Sequence, residues 1–80
     1  FNPQTQIAYE LPVTSNVRLI VYNMLGQEVR TLVNGRRESG YHQALWDGRD
    51  VAGRSTASGV YFVHIQAGDF QAVQRMLLLR

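Results

Sequence analysis

The chain has 80 residues, no cysteine and a net charge of +2. A single domain of this length buries only about 60% of its unfolded surface, gains nothing from disulfides and has no thiolate to offer a metal or a substrate. The charge is too small and too scattered for nucleic acid, and no apolar run reaches the ~18 residues of a membrane helix.

All eight cations are arginine (Arg18, Arg30, Arg36, Arg37, Arg49, Arg54, Arg75 and Arg80). The chain starts at Phe1 without methionine and shows no signal-peptide pattern, so residues 1–80 are expected to be one module of a longer protein.

Phe1-Asn2-Pro3 reads as an irregular lead-in, because Asn-Pro favours a turn. Thr5 to Leu11 alternates, with Thr5, Ile7, Tyr9 and Leu11 on one face, as a half-buried strand does. Pro12 ends it and Thr14-Ser15-Asn16 turns the chain. Val17 to Met24 is the second strand, with Val17, Leu19 and Val21 inward and Arg18, Ile20 and Tyr22 opposite. Leu25-Gly26 makes a tight turn into a third strand, Gln27 to Val33. Helix competes over residues 24–33, but Gly26 and the β-branched residues weigh against it.

Asn34 to Gly40 reads as a polar loop with Asn34-Gly35 at its head. Tyr41 to Trp46 alternates again, with His42, Ala44 and Trp46 on one side. Asp47 to Ala57 is a long turn region. Ser58 to Ala67 is the most hydrophobic strand, and Gly68-Asp69 turns it into the last one, Phe70 to Leu79. This gives six strands, or seven if Arg54–Ala57 pairs briefly, at the spacing of an all-β sandwich. A closed barrel competes, but two small packed sheets suit this length better. The expected core holds Ile7, Tyr9, Leu19, Val21, Trp46, Tyr61, Val63 and Ile65.

Candidate chemistry is sparse. Asp47, Asp50 and Asp69 lack the alternate spacing of a calcium loop and read as turn builders. His42 and His64 have no accompanying ligand set for zinc and read as structural. No G-x-S-x-G elbow and no paired carboxylates mark a hydrolase. No cofactor is called for. The aromatics Tyr9, Tyr22, Tyr41, Trp46, Tyr61, Phe62 and Phe70 could form a sugar platform, although Trp46 and Tyr61 fit a core better. Gln74 to Arg80 breaks the alternation and places apolar residues on both faces between two arginines. It reads as a central strand buried on both sides, or as an exposed apolar edge that another chain recognises.

Taken in order, N-P-x-T-x-I-x-Y-x-L-P at 2–12, V-x-L-x-V-Y-N-x-x-G-Q-x-V-R-T-L-V at 17–33, G-x-H-x-x-x-W-D-G-R-D at 40–50, S-G-V-Y-F at 58–62 and R-M-x-L-L at 75–79 carry a family resemblance. The chain resembles the C-terminal type IX secretion sorting domain (type A), in the form that merges with the immunoglobulin-like domain of the flagellar hook-capping protein. The resemblance implies an immunoglobulin-like, fibronectin III-like β-sandwich of six to seven antiparallel strands. It also implies a non-catalytic address at the C-terminus of a secreted bacterial protein. The domain would carry covalently attached N-terminal cargo through the periplasm to an outer-membrane translocon, for surface display or release. Gly59, Tyr61, Arg75, Met76, Leu78 and Arg80 would then carry recognition, with protein contacts through the C-terminal strand. Arg75 and Arg80 stand where that family often has lysine, and Thr56 where it usually has an apolar residue. Two other functions stay open: a structural immunoglobulin-like module of a filament, cap or adhesin, and a sugar-binding accessory module.

Overall fold

The computed structural model describes residues 4–79, so the lead-in Phe1–Pro3 and the closing Arg80 lie outside it. The alternating segments form six strands: β1 Thr5–Leu11, β2 Ser15–Tyr22, β3 Glu28–Arg37, β4 Gly40–Trp46, β5 Gly59–Ala67 and β6 Phe70–Leu78. They pair antiparallel into a two-stranded sheet, β1-β4, and a four-stranded sheet ordered β3-β2-β5-β6. The expected β-sandwich is what forms. Residues 24–33 carry a turn and a strand rather than a helix.

The core lies between the sheets and follows from the period of two in each strand. Ile7, Leu11, Ala44 and Trp46 descend from the smaller sheet onto Val17, Leu19, Val21, Val33, Tyr61, Val63, Ala67, Met76 and Leu78 of the larger one. Tyr9 and Ile65, expected inside, are half-buried and pack against this cluster. Trp46 is 0% exposed. Its indole N–H donates to the Arg49 carbonyl at 3.0 Å, and its ring meets Tyr61 edge-on at 5.0 Å. The Tyr61 hydroxyl donates to the Ala57 carbonyl at 2.6 Å, the device of a tyrosine corner. Both large aromatics therefore bury their apolar bodies without stranding a polar atom.

Several expectations are corrected or narrowed. Asn34-Gly35 is not a loop head: β3 runs on to Arg37, with Asn34 opposite Arg18 and Gly35 opposite Val17. β2 begins at Ser15 and offers these residues a ladder, which overrides the local Asn-Gly turn signal. Between β2 and β3 the register also shifts twice, leaving Leu32 and Val29 as the extra residues. Such bulges re-aim side chains, and both residues pack on the core. Ile20, expected on the outer face, is on that face but only 3% exposed. It sits mid-sheet on β2, flanked by Thr31 and His64.

The count of six strands holds, and Arg54–Ala57 pairs only through a single bridge between Arg49 and Ser55. Of the two readings of the tail, the exposed edge is the one that forms: β6 borders the larger sheet. Alternation persists to its end, with Met76 and Leu78 buried and Arg75, Leu77 and Leu79 exposed.

Truncating the indole removes the largest fully buried side chain. Trp46→Ala should cost about 3–5 kcal/mol in urea denaturation. Tyr61→Phe, which loses only the hydroxyl bond, should cost about 1–2 kcal/mol. Equal and negligible shifts for both would show that the two rings do not join the sheets.

Candidate functional site

The loop from Asp47 to Ser58 gathers charges, yet its geometry is that of a self-contained turn. Asp47 accepts from the Arg49 N–H at 3.1 Å and from the Arg30 guanidinium at 3.2 Å, tying the loop to β3. Asp50 accepts from the N–H groups of Ala52 and Arg54 at 3.0 Å each and pairs with the Arg54 side chain at 3.4 Å. The Thr56 N–H and O–H both donate to the Gly48 carbonyl at 2.9 Å. These aspartates build the turn, as the sequence predicts. Among the described residues no group of three or more histidine, cysteine, aspartate or glutamate side chains comes together. His42 stacks on Tyr9 at 5.3 Å, with a ring nitrogen against the Glu38 carbonyl, and His64 lies near the Gln71 amide oxygen at 3.3 Å. Neither faces a nucleophile. Trp46 is sealed in the core and takes no part in a sugar platform.

The surface is unusual elsewhere. On the outer face of the four-stranded sheet, register sets Tyr22 beside Phe62, Ile20 beside His64, Val60 beside Leu77 and His64 beside Val73. Val73 is 65% and Leu77 61% exposed. The result is a largely apolar face over β2, β5 and β6, broken by His64 and Arg75, with Val73 and Leu77 exposed and Tyr22, Val60 and Phe62 half-buried. The outer face of the smaller sheet differs. There the exposed Tyr41 and Leu45 stand opposite Glu10 and Gln6, so polar neighbours separate them. Scattered apolar residues are ordinary, whereas a contiguous face marks a contact site.

A second feature adjoins it. The smaller sheet leaves the inner side of β6 open from Phe70 to Gln74, which makes a groove of about 200 Å³ lined by Ile7, Tyr9, Ile65, Phe70, Ala72 and Gln74 among others. Phe70 is exposed at its mouth.

The recognition residues named from the sequence divide three ways. Tyr61, Met76 and Leu78 point into the core and present no surface. Gly59 and Arg75 lie opposite Leu78 and Phe62 on neighbouring strands, with Arg75 exposed. Arg80 is outside the described residues. The sequence reading placed Ile20 outward and named Phe62 for a sugar platform, but missed Val60 and Val73 and the surface that the four share. Their signal was an apolar residue at the outward positions of adjacent strands, which shows only once register is known.

The FlgD Ig-like domain family model matches residues 2–70. No curated protein matches the chain. Among solved structures, the crystal structure of FlgD from P. aeruginosa aligns with a TM-score of 0.75 and 26% identity, over 95% of this chain and 60% of that one. The chain thus spans less than two thirds of that protein.

The turn carries its own test. Hydrogen bonds from the Arg54 and Ala52 N–H groups, together with the Arg54 charge, hold the Asp50 carboxyl below its ordinary value. A depressed carboxyl stabilises the fold above the unfolded-state value and loses that contribution as pH falls through the folded one. Acidification below about pH 4 should therefore lower the amide protection factors of Ala52 and Arg54, measured against the intrinsic rate at each pH, before those of the strands. Asp50→Ala should show the same loss of protection at neutral pH. A loop whose exchange ignores both changes would mean that Asp50 does not organise it.

Proposed function

The chain belongs to the FlgD Ig-like domain family, and on that footing we propose that it is a non-catalytic structural module making protein–protein contacts in an extracellular bacterial assembly such as a filament or cap. The contact surface is the outer face of β2, β5 and β6, and that largely apolar face is the observation that carries the proposal. A small sandwich gains no stability from leaving Val73 and Leu77 exposed, and Val60 and Phe62 half-exposed, to water. Contact with a partner would remove that cost. At about 25 cal/mol per Å², covering even ~300 Å² of apolar surface is worth several kcal/mol before the cost of association. Residues 1–80 would act as one module of a longer secreted or surface-held chain.

The delivery of attached cargo by type IX secretion is a second reading. One observation speaks for it: the family match ends at residue 70, whereas R-M-x-L-L, the closing motif of sorting domains, lies beyond it at 75–79. Its partner would be the outer-membrane translocon. Because Met76 and Leu78 are core residues, the folded domain could present only Arg75, Leu77 and Leu79 of that motif. The family match favours the structural reading. Replacing the exposed Arg75, Leu77 and Leu79 together by serine, behind a secreted reporter, separates the two: the core is kept, and sorting requires that surface delivery stop.

The structural reading has a direct test. With p-benzoylphenylalanine at Phe62, the parent protein in its own cells should form a photo-adduct with a neighbouring polypeptide. A pair of outward aspartates, Val60→Asp with Leu77→Asp, should abolish the adduct. Illumination that yields no adduct from Phe62 would contradict a contact surface there.

A further inference from the structure

The β6 edge of the larger sheet is lightly guarded. Its nine residues include no proline, lysine, aspartate or glutamate, and their single charge is Arg75. The preceding turn fixes which backbone groups on this edge are free. Gly68 has φ +60°, and no non-glycine residue has positive φ among the described residues, so Gly68-Asp69 forms a two-residue type II′ hairpin. Such a turn makes Ala67 and Phe70 a hydrogen-bonded pair, and bonding then alternates along the ladder. Phe70, Ala72, Gln74, Met76 and Leu78 direct their N–H and C=O groups to β5. Gln71, Val73, Arg75 and Leu77 direct theirs to solvent.

A second β6, approaching antiparallel, must match free groups with free groups. This restricts the register. Centring the pair on Arg75 sets two arginines directly opposite each other, which is destabilising. Centring it on Val73 shortens the overlap and carries Asp69 opposite the partner's Leu77. Centring it on Gln74 overlaps all nine residues. On the outer face it sets Arg75 opposite the partner's Val73 and Gln71 opposite the partner's Leu77. On the inner face the Gln74 amides meet, and the exposed Phe70 lies opposite the partner's Leu78. Every position finds a compatible neighbour, and the interface is self-complementary, as two-fold symmetry demands.

We propose that the chain pairs with a second copy of itself along β6, antiparallel and two-fold about Gln74. The four-stranded sheets of both copies join into one continuous sheet. The join extends the apolar outer face across the seam and brings the two open grooves beside β1 together. This rests on the reading of the domain as a contact module and names one partner for it. A single strand pair buries an area in the class of weak, reversible contacts, below about 1,200 Å². An assembly that holds many copies close together supplies the effective concentration such a contact needs.

Sedimentation velocity of the chain from about 10 μM to about 1 mM, the span of weak association, tests the pairing. The weight-average mass should rise towards that of a dimer. Val73→Lys sets a cation opposite the partner's Arg75 on each side of the two-fold axis, at the centre of the seam, and this variant should stay monomeric. Adding Arg75→Glu to it should restore the dimer through opposite charges. Val73 and Arg75 are exposed, so unchanged melting temperatures will verify that the fold is kept. A Val73→Lys variant that dimerises like the parent chain, or a parent chain that is monomeric throughout, overturns the proposal. Phe62 lies one strand in from the seam, so its photo-adducts report on the outer face alone. Adducts with a monomeric chain would sink the self-pairing and leave the contact module standing. A dimer rescued by the charge swap, with no adduct from Phe62, would establish the seam and remove the outer face as a contact site.

Discussion

The fold depends on the packing of one ring against another. Trp46 ends β4 in the smaller sheet, Tyr61 lies on β5 in the larger, and their edge-on contact at 5.0 Å fastens the two sheets together. Each ring also holds the segment between them. The indole N–H is bonded to Arg49 at the start of the Asp47–Ser58 loop, and the phenol hydroxyl to Ala57 near its end. Most other core residues are valine, leucine or alanine contributed by regular alternation, which could slide between registers. The paired aromatics fix one arrangement. A domain of this size has total stability on the order of 5–15 kcal/mol, so a contact of a few kcal/mol decides whether it folds.

That arrangement also separates structure from function along the chain. The charged, glycine-rich loop, where chemistry would first be sought, spends its aspartates on backbone N–H groups and its arginines on carbonyls and carboxylates. With those groups satisfied internally, the loop closes one end of the sandwich and offers little to a ligand. The plainer strands β5 and β6 show the opposite economy. Their inward residues complete the core, while their outward residues are more apolar than solvent exposure favours. Membership of the FlgD Ig-like family accords with a domain whose surface, and not a pocket, is the working part.

Much of the fold was legible because each strand is a clean period-two pattern punctuated by glycine or proline. Thr5–Leu11 matches β1 to the residue, and all the core residues expected inside are in or against the core. What misled were local signals outvoted by distant ones. Asn34-Gly35 reads as a turn in isolation, but Val17 and Arg18 were waiting to pair with it. The tail's two readings, central strand and exposed edge, stayed open because Leu77-Leu78-Leu79 is continuously apolar. Sequence periodicity cannot distinguish a strand buried on both faces from an edge strand with an apolar outer face. Tyr61, Met76 and Leu78 came to recognition through the family resemblance alone, and they face inward. The outer face proposed for contact was invisible, since it is assembled from Tyr22, Val60, Phe62, Val73 and Leu77 by register across three strands.

Amide hydrogen exchange of the parent protein, assembled and dispersed, measures the claim that β5 and β6 are the working surface. In the dispersed state the N–H groups of Gln71, Val73, Arg75 and Leu77 face water and should exchange fast, while those of the neighbouring even-numbered residues are held by β5. On assembly, protection should appear at those four amides, with the Asp47–Ser58 loop unchanged. Protection that appears in the loop and leaves β6 as it was would contradict the assignment of contact to this edge and face.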